Sequence, residues 1–162
     1  MNIAFEVLAG IVSVLVLVPT MVLLAETLLS ALRPVGERTP APPAGRVAIL
    51  VPAHDEALLL ADTLHTIVPQ LRAGDRLLVV ADNCSDATAS IAAAEGAEVI
   101  ERSDSVRRGK GYAGDFGIRH LESNAPDVLV VIDADCRVQA GAIGHLAALC
   151  HRYGRPVQAL YL

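Results

Sequence analysis

An α/β fold with a mostly parallel sheet, preceded by one membrane-crossing helix, is predicted from three observations. Residues 7–25 carry no charge and twelve of them are Val, Leu or Ile. From Arg46 onward, short apolar runs alternate with stretches of helical periodicity, the pattern of strands buried on both faces between covering helices. Acidic residues then recur just after those apolar runs, where the strands of an open α/β sheet meet their ligands.

Composition narrows the function classes. The 162 residues are 53% hydrophobic, with a mean hydropathy of +0.47 and a formal net charge of −5. The acidic balance argues against a nucleic-acid partner, which needs a basic face for phosphates. Aromatic residues are only 3% and Trp is absent, so stacking platforms are scarce. Three cysteines do not build a disulfide framework.

Val7–Ala25 lies between Glu6 and Glu26. Its twelve large aliphatic residues favour insertion by roughly 4–7 kcal/mol on a biological insertion scale. At about 1.5 Å per residue the stretch just crosses a hydrocarbon core of about 30 Å. Residues 1–6 contain no Lys or Arg, which speaks against a cleaved signal peptide and for a retained anchor within residues 1–32. Arg33, Arg38 and Arg46 follow the segment, so the positive-inside rule puts the amino terminus outside and the remainder in the cytoplasm, at the inner membrane in a single pass. Residues 33–46 are a Pro-rich linker.

The region 47–162 forms the α/β domain. Val47–Val51 reads as a strand, and Glu56–Val68 as a helix with Leu60, Leu64, Ile67 and Val68 on its buried face. Leu77–Ala81 is a second strand, and Asp86–Glu95 a helix that Gly96 ends. Glu98–Glu101 is a third strand, Lys110–Glu122 a helix, and Val128–Ile132 a fourth strand. Ala140–His151 is a helix with Ile143, Leu146, Ala147 and Cys150 inward, and Val157–Leu162 opens a fifth strand. Stopping inside an apolar strand, the chain reads as the first part of a larger domain.

Acids follow each strand: Asp55 and Glu56, Asp82 and Asp86, Asp104, then Asp133 and Asp135. Asp86 suits a helix cap, and Asp55 a turn. Asp133-Ala134-Asp135 is harder to explain as a turn alone, because two close carboxylates repel and a divalent cation removes that repulsion. Oxygen ligands suit Mg²⁺ or Mn²⁺ shared with a phosphate. Arg107-Arg108-Gly109-Lys110-Gly111 offers the opposite charge, with backbone amides and a helix N-terminus for an anion. Gly109 to Gly114 also matches G-x-G-x-x-G, but Arg102–Arg108 separate it from the third strand, so the tight strand-to-helix junction of a dinucleotide site is missing.

Val51-Pro52-Ala53-His54-Asp55-Glu56, Ala81-Asp82-Asn83-Cys84-Ser85-Asp86-Ala87-Thr88, Arg108-Gly109-Lys110-Gly111-Tyr112-Ala113 and Asp133-Ala134-Asp135-Cys136 occur in that order. Over residues 46–162 this series resembles the front, donor-binding half of family 2 glycosyltransferases. The resemblance implies a Rossmann-like GT-A fold that binds a nucleotide-diphosphate sugar, usually UDP-linked. It also implies inverting transfer to a glycan or lipid acceptor, as in polysaccharide biosynthesis. By the same resemblance Pro52, Ala53 and Glu56 line the nucleoside pocket, Asp82 recognises uracil, and Lys110 and Gly111 lie near the diphosphate. Asp133 and Asp135 match the DxD pair, serving ribose and metal, with Asp135 the direct ligand. Ala81 departs from the family, many of whose members carry the first Asp of an Asp-Asp pair there. The family's catalytic base lies beyond the DxD pair, and no Asp or Glu follows Asp135 here. Two alternatives stay open: a membrane-anchored fragment without transfer activity, and a dinucleotide-binding enzyme.

Overall fold

A computed structural model describes residues 3–31 and 45–159. The chain divides into two compact units, Met1–Arg38 and Thr39–Leu162. Most of the Pro-rich stretch, 33–44, lies outside the described residues.

The described part of the first unit is one helix, α1 (Ile3–Ala31), longer at both ends than its uncharged centre. Its segment Phe5–Leu29 has a mean hydropathy of 2.7, so by length and composition it could span a membrane. The described apolar side chains are exposed around its whole circumference. The hydroxyls of Ser13, Thr20 and Thr27 each donate to the carbonyl four residues earlier at 2.8 Å. Pro19 sits inside the helix without an N–H to give.

The second unit alternates strand and helix. Its elements are β1 (Val47–Ala53), α2 (Leu60–Ile67), β2 (Arg76–Asp82), α3 (Thr88–Ala94), β3 (Glu98–Arg102), α4 (Lys110–Leu121), β4 (Val128–Val131) and α5 (Ala142–Tyr153). Four parallel strands form one sheet in the order β3-β2-β1-β4. Side chains alternate across it. Val47, Ile49, Val51, Leu77, Val79, Val128 and Val130 face a core with Leu60, Leu64 and Ile67 of α2, Ala92 of α3, and Ile143 and Ala147 of α5. Ala48, Leu50, Leu78 and Val80 face a smaller core with Ala113 and Leu121 of α4. Gly117 lets α4 lie close on that second face, since a Cβ there would sit 2.5 Å from Leu50 Cδ1 and 2.9 Å from Val80 Cγ2.

Several predicted boundaries shift, each for a local reason. Residues 57–59 are a turn and α2 starts at Leu60; Glu56 N–H donates to Thr88 Oγ1 at 2.9 Å and Ala57 N–H to Asp86 Oδ2 at 3.0 Å, which ties this segment to the start of α3. Asp55, at φ +52°, turns the chain into this arrangement. Val68 belongs to a short 3₁₀ turn with Pro69 and is not part of the buried face. Gly96 ends α3 as expected: at φ +80° it donates to the Ala93 carbonyl while Ala97 N–H reaches the Ala92 carbonyl, a Schellman closure. The start of α5 moves to Ala142 because Gly141 takes φ +80°. Val157–Ala159 adopt no strand, and the remaining predicted strand residues, 160–162, lie outside the described residues.

Candidate functional site

The strand order reverses between β1 and β4: α2 and α3 carry the chain outward to β3, and α4 returns it to the far side of β1. Loops leaving the carboxyl ends of β1 and β4 therefore part, and a crevice opens between them, where open α/β sheets bind ligands. A cleft of about 500 Å³ lies there, lined by residues from the ends of β1, β2 and β4 and by the start of α4.

Seven of the eight residues singled out in the sequence line this one cleft: Pro52, Ala53, Glu56, Asp82, Lys110, Asp133 and Asp135. Gly111 lies outside it, lining an adjoining shallower depression with Tyr112 and Asp115. Arg108, part of the basic stretch singled out in the sequence, lines the cleft as well, as do His54 and Asn83, to which the sequence reading gave no site role.

Pro52 and Ala53 are buried in β1, so the floor of the cleft is rigid sheet. Asp82 ends β2 and is 4% exposed. Its carboxylate accepts from Arg102 at 2.6 Å, and its backbone carbonyl accepts from His54 Nδ1 at 2.7 Å. The sheet register makes Asp82 and Arg102 direct neighbours on β2 and β3.

The Asp133–Cys136 turn follows β4. Ile132 N–H still donates to the Leu50 carbonyl at 3.0 Å, and Cys136 N–H closes the turn on the Asp133 carbonyl at 3.2 Å. From below, Thr63 of α2 donates its hydroxyl to the Ala134 carbonyl at 2.7 Å in a buried bond, while Thr66 Oγ1 accepts from Val138 N–H. The apolar residue between the two acids is buried, which turns both carboxylates toward the cleft side. Ligand atoms of Asp133, Asp135 and Cys136 lie within 4.8 Å of one another, a spacing that a single cation could share. Two carboxylates suit a hard divalent ion. In the free chain the Lys110 ammonium pairs with Asp133.

Lys110 begins α4, and Gly109 before it holds φ +110°, a conformation costly for any side chain. The preceding loop is built around Asp104. Backbone N–H groups of Arg107 and Val106, aided by the Arg107 guanidinium, hold the Asp104 carboxyl down at about 2.

The other acids at the rim are spent on structure. Asp55 Oδ1 accepts from Ser85 N–H at 2.6 Å, and Asp86 accepts from Ala57 N–H and from the N–H and hydroxyl of Thr88, which starts α3. The Thr88 hydroxyl bond comes first among the causes that lower the Asp86 carboxyl. Asp55, Cys84 and Asp86 also cluster, but burial pushes the Cys84 thiol up and the carboxylates already hold donors. This cluster stitches the β1–α2 loop to the β2–α3 loop.

The family of glycosyl transferase family 2 matches residues 48–159, the whole α/β unit except its first and last residues. YdaM of Bacillus subtilis (strain 168), described as a probable glycosyltransferase, is 33% identical over 111 residues, covering 62% of this chain and 25% of that protein. The uncharacterized glycosyltransferase Rv0539 of Mycobacterium tuberculosis (strain ATCC 25618 / H37Rv) is 34% identical over 102 residues, 63% of this chain and 42% of that protein. The chain thus spans less than half the length of these relatives. Among solved structures, the mannosyltransferase PcManGT from Pyrobaculum calidifontis, in complex with GDP-Man and Mn²⁺, superposes with a TM-score of 0.58 at 24% identity, covering 69% of this chain and 35% of that one. With its four parallel strands, its cleft at the strand-order reversal and this match across most of its length, the chain belongs to glycosyl transferase family 2.

Proposed function

We propose that the cleft binds a nucleoside-diphosphate sugar, UDP-linked, together with Mg²⁺ or Mn²⁺, and that the chain is the donor-binding portion of a membrane-anchored sugar transferase. The observation that carries this reading is the convergence of Asp82, Lys110, Asp133 and Asp135 on one cleft at the switch point of the sheet. Asp82 sits at the β2 end for the base, with Pro52, Ala53 and Glu56 beside it for the nucleoside. Lys110 and Arg108, with backbone amides at the start of α4, face the diphosphate. Asp133 serves the ribose and the cation, and Asp135 is the direct cation ligand. A divalent cation there supplies Lewis acidity that stabilises charge on the leaving nucleoside diphosphate. The residues of this chain orient the donor, fix its base and keep opposite charge beside its phosphates.

The acceptor is a glycan or a lipid. In this reading α1 is a single-pass anchor in the inner membrane, with the amino terminus outside and residues 47–162 in the cytoplasm. The apolar Phe5–Leu29 segment and the arginines at 33, 38 and 46 support this orientation.

Titration calorimetry of the full chain in detergent micelles tests the donor site. UDP is expected to bind in the presence of Mn²⁺ and to lose affinity when Mn²⁺ is chelated. Absence of any nucleotide binding with Mn²⁺ would overturn the reading. Incubation with labelled UDP-sugars and candidate acceptors then reads sugar transfer directly.

A further inference from the structure

The three cations of Arg107-Arg108-Gly109-Lys110 part company in the fold. Arg108 and Lys110 line the cleft, and Arg107 does not. Asp104 takes Arg107 instead. Its Oδ1 accepts from the Arg107 N–H at 2.8 Å and from the Val106 N–H at 2.9 Å. Its Oδ2 accepts from Arg107 Nε at 3.0 Å and from Arg102 Nη2 at 3.2 Å. Both oxygens are thus filled, because a carboxylate accepts about two hydrogen bonds on each.

The arrangement rests on the ends of two strands. Asp104 N–H donates to Asn83 Oδ1 at 2.8 Å, one residue past β2, and Asn83 N–H donates at 2.7 Å to the carbonyl of Arg102, the last residue of β3. Arg102 Nη2 also donates to the Arg107 carbonyl at 2.6 Å. Nothing apolar holds the segment. Residues 105–110 are all exposed, and their one apolar side chain, Val106, is 87% exposed. Among the described residues, every hydrogen bond that reaches residues 105–108 comes from Asp104 or Arg102. A loop without buried apolar contacts keeps one shape only through such bonds.

From this arrangement we infer that Asp104 is a positioning residue for the nucleotide's diphosphate. It withdraws Arg107 from the anion and fixes the turn through which Arg108 and Lys110 reach the cleft. Those two charges are then in place before the ligand arrives, and binding has less of the loop to order. Asp104 does not itself line the cleft, so it acts through the loop. The inference rests on the proposed nucleotide site and adds to it a residue that touches no ligand.

Charge and position make opposite forecasts for a variant lacking this carboxylate. By charge alone, removing a negative group near a diphosphate tightens binding. By position, the loop samples other shapes, and the diphosphate has to order it on binding, which weakens affinity. A loss therefore cannot come from the charge change.

The test is calorimetry on the full chain in micelles, with UDP and with uridine, each with Mn²⁺ in excess. The ratio of the two affinities isolates the diphosphate. Asp104→Ala is expected to lower that ratio about tenfold, the cost of ordering a loop that was ordered in advance. Uridine itself is expected to stay within about twofold, because Asn83 bonds to the backbone N–H of residue 104, which every variant keeps. Asp104→Asn retains an oxygen for the two backbone N–H groups and is expected to fall between, and it replaces Asp104→Ala if that variant does not fold. In a chain that carries Arg108→Gln and Lys110→Met the loop has no side-chain charge to deliver, and there Asp104→Ala is expected to change the ratio by less than about twofold. A ratio that rises or stays level in the Asp104 variants, a parallel loss of UDP and uridine, or an equal loss in the doubly altered background would overturn the inference while leaving the nucleotide site standing. An unaltered chain that binds UDP no more tightly than uridine would overturn it too. No nucleotide binding by the unaltered chain would overturn both readings.

Discussion

Lys110 has two opposed effects in the proposed donor site, and Lys110→Met separates them. In the free chain its ammonium pairs with Asp133, with the two side chains 57% and 39% exposed, so water screens the pair strongly. A divalent cation held by Asp133 and Asp135 has to share that space with the ammonium. At a separation of about 5 Å and a water-like dielectric, a single and a double positive charge repel by about 2 kcal/mol. Removing the ammonium also leaves two carboxylates, with ligand atoms inside 4.8 Å, facing each other uncompensated. That adds about 1 kcal/mol of repulsion for a metal ion to relieve. Salt reduces both, so Mn²⁺ alone is expected to bind Lys110→Met roughly tenfold more tightly than the unaltered chain. UDP at saturating Mn²⁺ behaves oppositely. The diphosphate loses a charge-assisted bond, and affinity falls by about ten- to a hundredfold. Calorimetry of Mn²⁺ alone, then of UDP with Mn²⁺ in excess, reads both on one preparation. An Mn²⁺ affinity that stays level or weakens in Lys110→Met would refute the reasoning, because the ammonium would then not be competing for the acidic pair.

Thr63→Val keeps the side-chain volume but leaves the buried Ala134 carbonyl without its donor. It should cost about 1–3 kcal/mol and lower the urea midpoint of the α/β unit, and Mn²⁺ binding should weaken with it; an unchanged midpoint would mean that α2 does not support the acidic turn. Asp104 gives a pH signature: its folded value of about 2 lies below its ordinary 3.8. A lowered folded value means the charged form is favoured by folding. That stabilisation is full above the unfolded value and is lost as pH falls through about 2. Thermal midpoints recorded from neutral to strongly acid pH should therefore fall more steeply for the unaltered chain than for Asp104→Asn in this acid window, and parallel curves would contradict the assignment. With α1 as a membrane span, the full chain should stay with membranes through alkaline carbonate extraction, and protease added to inverted vesicles should digest the α/β unit; release into the supernatant would remove the anchor from the picture.

β1 and β2 were legible because each is largely a run of Val, Ile, Leu and Ala whose burial on both faces leaves no other home for it, and β4 because it is a run of Val and Leu. Glu98–Arg102, the most polar strand, was found with one residue missing. Ending it at Glu101 put Arg102 in the loop and hid its partnership with Asp82, which depends on the pairing of Asp82 with Arg102 across β2 and β3. The signal was present as an arginine next to a strand end, but nothing in one strand states its register against another. Helix starts were misplaced for a related reason. Glu56 and Ala57 have helical neighbours in sequence, but their place is fixed by bonds to Thr88 at the start of α3 and to Asp86 in the loop before it.

What the sequence alone determined is therefore local and periodic: a helix whose uncharged centre is long enough for a bilayer, four strands, the helices between them, and acids gathered at one rim. Chain topology then brings that rim together, because parallel strands send all their carboxyl ends the same way. Which acids keep a free oxygen and which are consumed was decided only in three dimensions. Asp55 and Asp86 saturate backbone N–H groups of neighbouring loops, Asp104 holds its own loop, and Asp82 is divided between an arginine and the cleft. A carboxylate carries the same charge in each setting. Its role follows from the number of donors that packing places around it, and for Asp55, Asp82 and Asp86 those donors include residues 20 to 30 positions away in the chain.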